Sequence, residues 1–455
     1  MSILRFFLCS LLAMFLFPAS AWALLDRDFL PFETKNIQII LPGTPWFTQV
    51  QGNYPLLAKM FLRQDVFKYS PPLTVTHRST QCDPDQYRKE FLQLPPNLKA
   101  QRDYLQDYLN RCKEVLETGS KAFVTNAYKT FMLKLDPSQH PQARHVMFEL
   151  PNGVHVKGFF AWKGDEKKRP LVIFRAGLFS NSQEFFPERF LFIQLFEQSD
   201  YNFLLLESTT GPEYLRNNQK ISMGGFDEGI QNIQIAKMIR RAPGAWRKIV
   251  SDIHMVALSM GGHGLFVAAM LNDLNGAPFK KFLGLCPLVN FQQTFQAHQK
   301  SGYFMKPLNF WASYRLDFLK DRVQGLHKWT FIDQVLNYQV QTYQGPASWD
   351  ADIILPAWVK SRKNDFWYVN DFWPHYSSGK SPVLVLATKK DPIVPYELNA
   401  QRILEGTQPG NLSQTQVVIF EQGYHCSLPG AYDWNQTATI LQSYLDAKTE
   451  VEMKK

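Results

Sequence analysis

The sequence predicts an α/β fold: a mostly parallel sheet covered by helices on both faces, with a helical, aromatic-rich cap inserted late and a mainly helical extension in front. Three observations carry this. From about residue 143, short apolar runs that read as buried strands alternate with helical stretches. One of those runs, Asp252 to Leu258, ends at Ser259, and Met260-Gly261-Gly262 and an apolar helix from Leu265 to Met270 follow. Nearly a hundred residues dense in rings separate the strands at 282–285 and 383–386.

At 455 residues the chain exceeds one ordinary domain and is long enough for a large core. The net charge of +9 is dispersed over short clusters such as Lys167-Lys168-Arg169, Arg240-Arg241 and Lys389-Lys390. Dispersed charge reads as solvated surface and not as a nucleic-acid groove, and leaves open a peripheral contact with an anionic membrane or cell-wall surface.

Residues 1–23 read as a secretory signal peptide: Arg5, an apolar run from Phe6 to Phe17, then Ala21-Trp22-Ala23, with cleavage after Ala23. An uncleaved anchor is the alternative. Export to the periplasm, the cell surface or the medium permits disulfides. Residues 24–142 carry no catalytic pattern and look largely helical, with a strand near Ile37 to Leu41 and helices near 84–94, 98–118 and 119–134. They form either a small domain or a flank on the main body. Pro95-Pro96-Asn97 joins two of the helices, and Cys82 and Cys112 lie at similar distances from that turn, so a Cys82–Cys112 bridge is expected across the pair. Cys286 and Cys426 are compatible with buried free thiols, and their state stays open.

The main body is expected over 143–448. His145 to Leu150 and Val154 to Trp162 alternate around Pro151-Asn152-Gly153, a β-hairpin. Strands follow at Leu171–Phe174, Phe203–Leu206, the run before Ser259, Phe282–Leu285, Val383–Leu386 and Val417–Phe420. Gly225 to Arg241 reads as an amphipathic helix, and a closing helix spans about Asn435 to Lys448. The insertion at about 288–378 includes Phe291, Phe295, Tyr303, Phe304, Trp349, Phe366, Trp367 and Phe372. Its rings serve its own packing, a pocket over Ser259, or both.

Ser259 stands at a strand–turn–helix corner, flanked two positions away on each side by the small residues Ala257 and Gly261. A serine hydroxyl needs a base within hydrogen-bond reach, and the base needs a carboxylate to fix its tautomer. The carboxylate candidate is Asp391, just beyond Val383–Leu386, in Asp391-Pro392-Ile393-Val394-Pro395. The base candidate is His425, beyond the last strand. His254 and His263 read as packed, and His298, His327 and His375 belong to the insertion. The oxyanion needs two donors: the Met260 N–H, and the Leu178 N–H from the loop Arg175-Ala176-Gly177-Leu178.

The order Ser259, Asp391, His425, each at a strand end, resembles the α/β-hydrolase superfamily. Ser259-Met260-Gly261-Gly262 is similar to the elbow of its esterases and lipases, Asp391-Pro392-Ile393 to its acid loop, and Gly423-Tyr424-His425 to its histidine loop. Ala257 stands where the family usually has glycine, and Ala176 where it often has histidine. The resemblance implies an exported serine hydrolase that cleaves an acyl bond, foremost a carboxylic ester, through a covalent intermediate. A small-molecule or lipid-like acyl substrate is expected. No cofactor or metal is implied, and the oligomeric state stays open. An acyltransferase or peptidase using the same residues, or a binding protein without turnover, are the rival readings.

Overall fold

The computed structural model of the chain describes residues 28–40, 82–112, 142–180, 192, 195–220, 222–301, 305–321, 323–345, 352–405, 414–421, 425–426 and 434–449. The expected leader (1–23), the helix at 119–134 and the rings Tyr303, Phe304 and Trp349 lie outside these residues.

The described strands build one nine-stranded sheet in the order β1-β2-β3-β5-β4-β6-β7-β8-β9. They are β1 (Ile37–Ile39), β2 (Ala143–Glu149), β3 (His155–Ala161), β4 (Arg169–Arg175), β5 (Asn202–Leu206), β6 (Val250–Leu258), β7 (Lys281–Leu285), β8 (Val383–Thr388) and β9 (Thr415–Phe420). β1, β2 and β3 pair antiparallel with one another, and β3 pairs antiparallel with β5. From β5 to β9 every pairing is parallel. Parallel strands need crossovers, and the crossing helices cover both faces, which is why β5, β7 and β8 are buried throughout.

The helices are α1 (Pro84–Gln93), α2 (Leu98–Arg111), α3 (Pro212–Asn218), α4 (Gly225–Arg241), α5 (Ala245–Ile249), α6 (Ser259–Asn272), α7 (Phe291–Ser301), α8 (Met305–Arg315), α9 (Phe331–Thr342), α10 (Ala357–Ser361), α11 (Phe366–Asn370), α12 (Ala400–Glu405) and α13 (Trp434–Asp446). α7 to α11 all fall between β7 and β8. Rings of the insertion pack on the body and on one another: Phe372 lies 4.8 Å from His263 and Tyr376 5.4 Å from Phe266, while Phe291 lies 6.1 Å from Phe366 within the insertion. A separate pair of rings, Phe310 and Trp329, is exposed and stacked at 5.8 Å.

The described residues at the front of the chain, 28–40 and 82–112, pack on the body. β1 adds a strand to the sheet, and Phe32 packs on Trp246 at 5.2 Å between ring centres. α1 starts at an aspartate cap, where the Asp83 side chain accepts from the Asp85 N–H. At α2 the Asn97 side chain accepts from the Ala100 N–H. A disulfide joins Cys82 to Cys112, with 5.7 Å between Cα atoms, and pins the two helices together. Arg88 pairs with Asp446 of α13. The Gln106 carboxamide accepts from the Ile419 N–H at 2.8 Å and donates to the Ile419 carbonyl at 2.9 Å, as a neighbouring strand would.

α4 differs from its amphipathic reading. Every residue from Gly225 to Ala236 is buried, Asp227, Glu228, Gln231, Asn232 and Gln234 among them. The polar side is covered by other parts of the chain and hydrogen-bonds to some of them. Asp227 accepts from Ser222 and from Tyr343, just beyond α9, while Gln231 donates to Tyr214. Glu228 accepts from Thr209 and lies 3.5 Å from the guanidinium of Arg175, which is itself fully buried. Arg175 also donates to the Gln231 side chain at 2.8 Å and to the Glu207 carbonyl. One guanidinium thus ties the end of β4, the segment after β5 and α4. Glu207 is buried beside Glu213, and burial first, then that neighbour, pushes its carboxyl up to about 8.

Two outcomes are expected. Replacing both Cys82 and Cys112 by alanine should cost about 3–4 kcal/mol in urea unfolding, because the bridge closes a loop with a sequence separation of 30. Glu207 keeps its proton in the folded state up to about 8, whereas an unfolded glutamate loses it near about 4.3. Folding takes up a proton between those values, so stability falls as pH rises through that window. Glu207→Gln, neutral and of the same shape, should flatten this fall in melting temperatures measured from about pH 5 to pH 8.

Candidate active site

β6 is apolar and buried up to Leu258, and α6 begins at the next residue. Ser259 makes the corner with φ 53°, a left-handed conformation uncommon outside glycine. The corner is tight because another backbone lies against it. A Cβ at Gly261 would meet the carbonyl oxygens of Ala176 at 2.5 Å and Arg175 at 2.7 Å, so only glycine fits there. At Gly177 a Cβ would lie 3.2 Å from the Ser259 Cβ. The loop after β4 therefore rests directly on the serine.

Asp391 and His425 reach the same rim from the ends of β8 and β9. His425 Nε2 lies 2.9 Å from Ser259 Oγ. Its Nδ1 lies 2.9 Å from Asp391 Oδ2 and 3.1 Å from Oδ1. Asp391 is fixed by its own loop, since Oδ1 accepts from the backbone N–H groups of Ile393 and Val394, both at 2.8 Å. A carboxylate only accepts, so the proton between the two residues sits on Nδ1, and Nε2 faces the serine as an acceptor. The Asp391 side chain is 2% exposed and that of His425 18%, so the pair is shielded while the imidazole keeps access to the rim.

The two candidate backbone donors adjoin this corner, since Met260 follows Ser259 and Leu178 follows Gly177. Met260 is in the first turn of α6, where N–H groups have no intrahelical acceptor. In the loop after β4, the Phe179 N–H is committed to Thr210 Oγ1 at 2.7 Å and the Ser180 N–H to the Gly177 carbonyl at 3.2 Å. The N–H of Leu178, which is half-buried, has no hydrogen-bond partner among the described residues.

His254 and His263 are buried and serve packing. His263 Nδ1 accepts from the Gly225 N–H at 2.9 Å, so Nε2 donates to the Asn370 carbonyl at 3.0 Å, and burial lowers its pKa to about 4. His254 is buried within β6, and burial holds its pKa well down. In α7, the His298 Nε2 binds the Ile393 carbonyl at 2.6 Å and so ties the insertion to the acid loop.

Cys286 and Cys426 are not free thiols. They form a second disulfide, with 5.2 Å between Cα atoms. Each lies at the end of a buried strand or beside the base, and 140 residues apart in sequence; packing of β7 beside β8 and β9 brings them together. The only signal for this in the sequence is that Cys426 directly follows His425. Cys286, His425 and Cys426 also have ligating atoms within 4.8 Å of one another. With the sulfurs joined neither is a thiolate, the form that binds a metal.

No protein-family model matches the chain, and no curated protein matches it. Among solved structures it is similar to Est1E from Butyrivibrio proteoclasticus, at 17% identity and TM-score 0.35, over 66% of this chain and 99% of that one. It is similar to the 2,6-dihydroxy-pseudo-oxynicotine hydrolase at 13% and 0.43, over 80% and 88%. It is similar to the acylaminoacyl peptidase of Pyrococcus horikoshii at 14% and 0.41, over 68% and 42%. At such identities and scores the roles of individual residues rest on the geometry above. The parallel sheet that presents Ser259 on a sharp corner at the end of β6, with an acid and then a histidine arriving from the strands that follow, has the α/β-hydrolase fold.

Proposed function

We propose that the chain is an exported serine hydrolase that cleaves an acyl bond, foremost a carboxylic ester. One observation carries this reading: a left-handed Ser259 whose hydroxyl lies 2.9 Å from an imidazole nitrogen, with a carboxylate 2.9 Å from the other. Export is supported by the leader-like residues 1–23 and by two disulfides, which persist in oxidising compartments.

In this reading His425 Nε2 takes the proton of Ser259 as Oγ attacks the acyl carbon. The imidazolium that forms is stabilised by Asp391 through Nδ1–H. The carbonyl oxygen becomes negative and is held by the N–H groups of Met260 and Leu178. His425 then delivers its proton to the leaving alcohol. The same nitrogen activates water to release the acid and restore the serine. The aromatic insertion favours an apolar, lipid-like acyl group.

Fluorophosphonate labelling of the mature protein with p-nitrophenyl esters of short and long chains tests this reading. Ser259→Ala should abolish labelling and lower kcat by on the order of 10⁶-fold. Labelling without ester turnover would redirect the assignment to acyl transfer or peptide cleavage, and a folded wild type that does not label would overturn it.

Asp391→Asn makes a sharper demand. Oδ1 accepts from two backbone N–H groups, so an asparagine keeps its oxygen there and turns its amide toward His425. The imidazole is then forced into the wrong tautomer. A loss in kcat on the order of 10⁴-fold is expected, with little change in melting temperature.

A further inference from the structure

We propose that the Cys286–Cys426 disulfide is the positioning element for His425, a redox-sensitive tether that sets the base against Ser259. The inference rests on the reading of Ser259, His425 and Asp391 just given. Ser259 and His425 are 166 residues apart, yet a path of few residues joins them through the bridge. Cys286 is the first residue after β7. Its N–H donates to the Leu386 carbonyl of β8 at 2.7 Å, on the strand that leads to Asp391. Two residues further on, the Leu288 N–H donates to the carbonyl of Ser259 at 2.9 Å. Pro287, between them, packs so closely on Gly262 that a Cβ there would collide with it. Cys286 is therefore held by the nucleophile's own turn on one side and by the acid's strand on the other.

Across the bridge, the Cys426 Sγ lies 3.5 Å from the Leu285 carbonyl oxygen and 3.7 Å from His425 Nε2. The residue bonded to the base is thus clamped to the platform beneath the serine. Both cysteines adopt left-handed backbone, φ 40° and 44°. Glycine fits such backbone at less cost. What a cysteine offers there instead is a sulfur that fixes the distance from Cys286 to the histidine. A dithiol reductant opens the tether by exchange. It supplies two electrons and two protons, the Sγ–Sγ bond breaks to two thiols, and the reductant closes to its own disulfide. Among the described residues, the His425 ring is then held by its hydrogen bonds to Ser259 and Asp391, and a misplacement of the base by about 1 Å costs on the order of 10²-fold in rate.

The test compares two full-length variants, Cys286→Ala with Cys426→Ala and Cys82→Ala with Cys112→Ala, by two readouts. One is kcat and KM on an ester. The other needs no turnover: the low-field proton resonance of the His425 Nδ1–H against Asp391, read with ¹⁵N-labelled histidine. Loss of the first pair should lower kcat on the order of 10²-fold with KM unchanged and abolish the resonance, while loss of the second pair leaves both intact. Wild type treated with a dithiol should behave as the first variant and recover on reoxidation. If the first variant has the near-ultraviolet dichroism of wild type and keeps both kcat and the resonance, the bridge only staples the fold and the proposal is overturned. If that variant does not fold, wild type reduced at low temperature decides by the same criteria. An oxidised wild type that shows the resonance but turns over no acyl substrate would sink the hydrolase reading alone, and the tether would then be judged on the resonance.

Discussion

The site depends on one backbone constraint, the left-handed turn at Ser259. An unstrained residue there would continue the strand or start the helix and leave the hydroxyl within the sheet. The turn persists because its surroundings over-determine it. The carbonyls of Arg175 and Ala176 press against Gly261 from one side, and Leu288 bonds the serine's own carbonyl from the other. The left-handed conformation costs of order 1–3 kcal/mol. That is small beside the packing of an apolar β6 and α6 that are buried on both sides of it.

Buried charge maintains the same constraint from behind. The loop that rests on Ser259 begins at Arg175, whose guanidinium donates to the Glu207 carbonyl and Gln231, while its Nε faces Glu228 at 3.5 Å without a hydrogen bond. Burying a guanidinium is costly, and an apolar side chain at that place would often serve stability as well. A guanidinium differs in being directional: it bonds two separate segments, the one after β5 and α4, and so sets where Ala176 and Gly177 can lie. Geometry at the serine is thereby secured by groups that make no contact with its hydroxyl.

Much of this was legible in the sequence because period and position carry it. Strands buried on both faces read as short apolar runs, and the corner at Ser259 and the acid and base at strand ends are local patterns. The parts that were not legible depend on partners distant in sequence. Asp227 and Glu228 open α4, where acids suit any helix N-terminus, so nothing local shows that Tyr343 and Arg175 cover them. Cys286 sits among apolar residues, as an inert buried thiol would, and Cys426 lies between His425 and Ser427 with no cysteine near it in the chain. Only the neighbour order β7-β8-β9 makes them partners. Gly177 and Gly261 were legible as turn residues, but their mutual approach follows from β4 and β6 being adjacent in the sheet and not in the chain.

The carboxamide of Gln106 has a consequence beyond its two hydrogen bonds. An open sheet ends in a strand whose outer N–H and C=O groups invite a strand from another molecule. β9 is that terminal strand, and it carries the approach to His425. At Ile419, near its end, both outward groups are already taken by a side chain from α2. An incoming strand would have to displace a helix that a disulfide ties to α1, which is itself tied to α13 by the Arg88–Asp446 pair. The described front of the chain thus covers the outer edge of the strand that leads to His425.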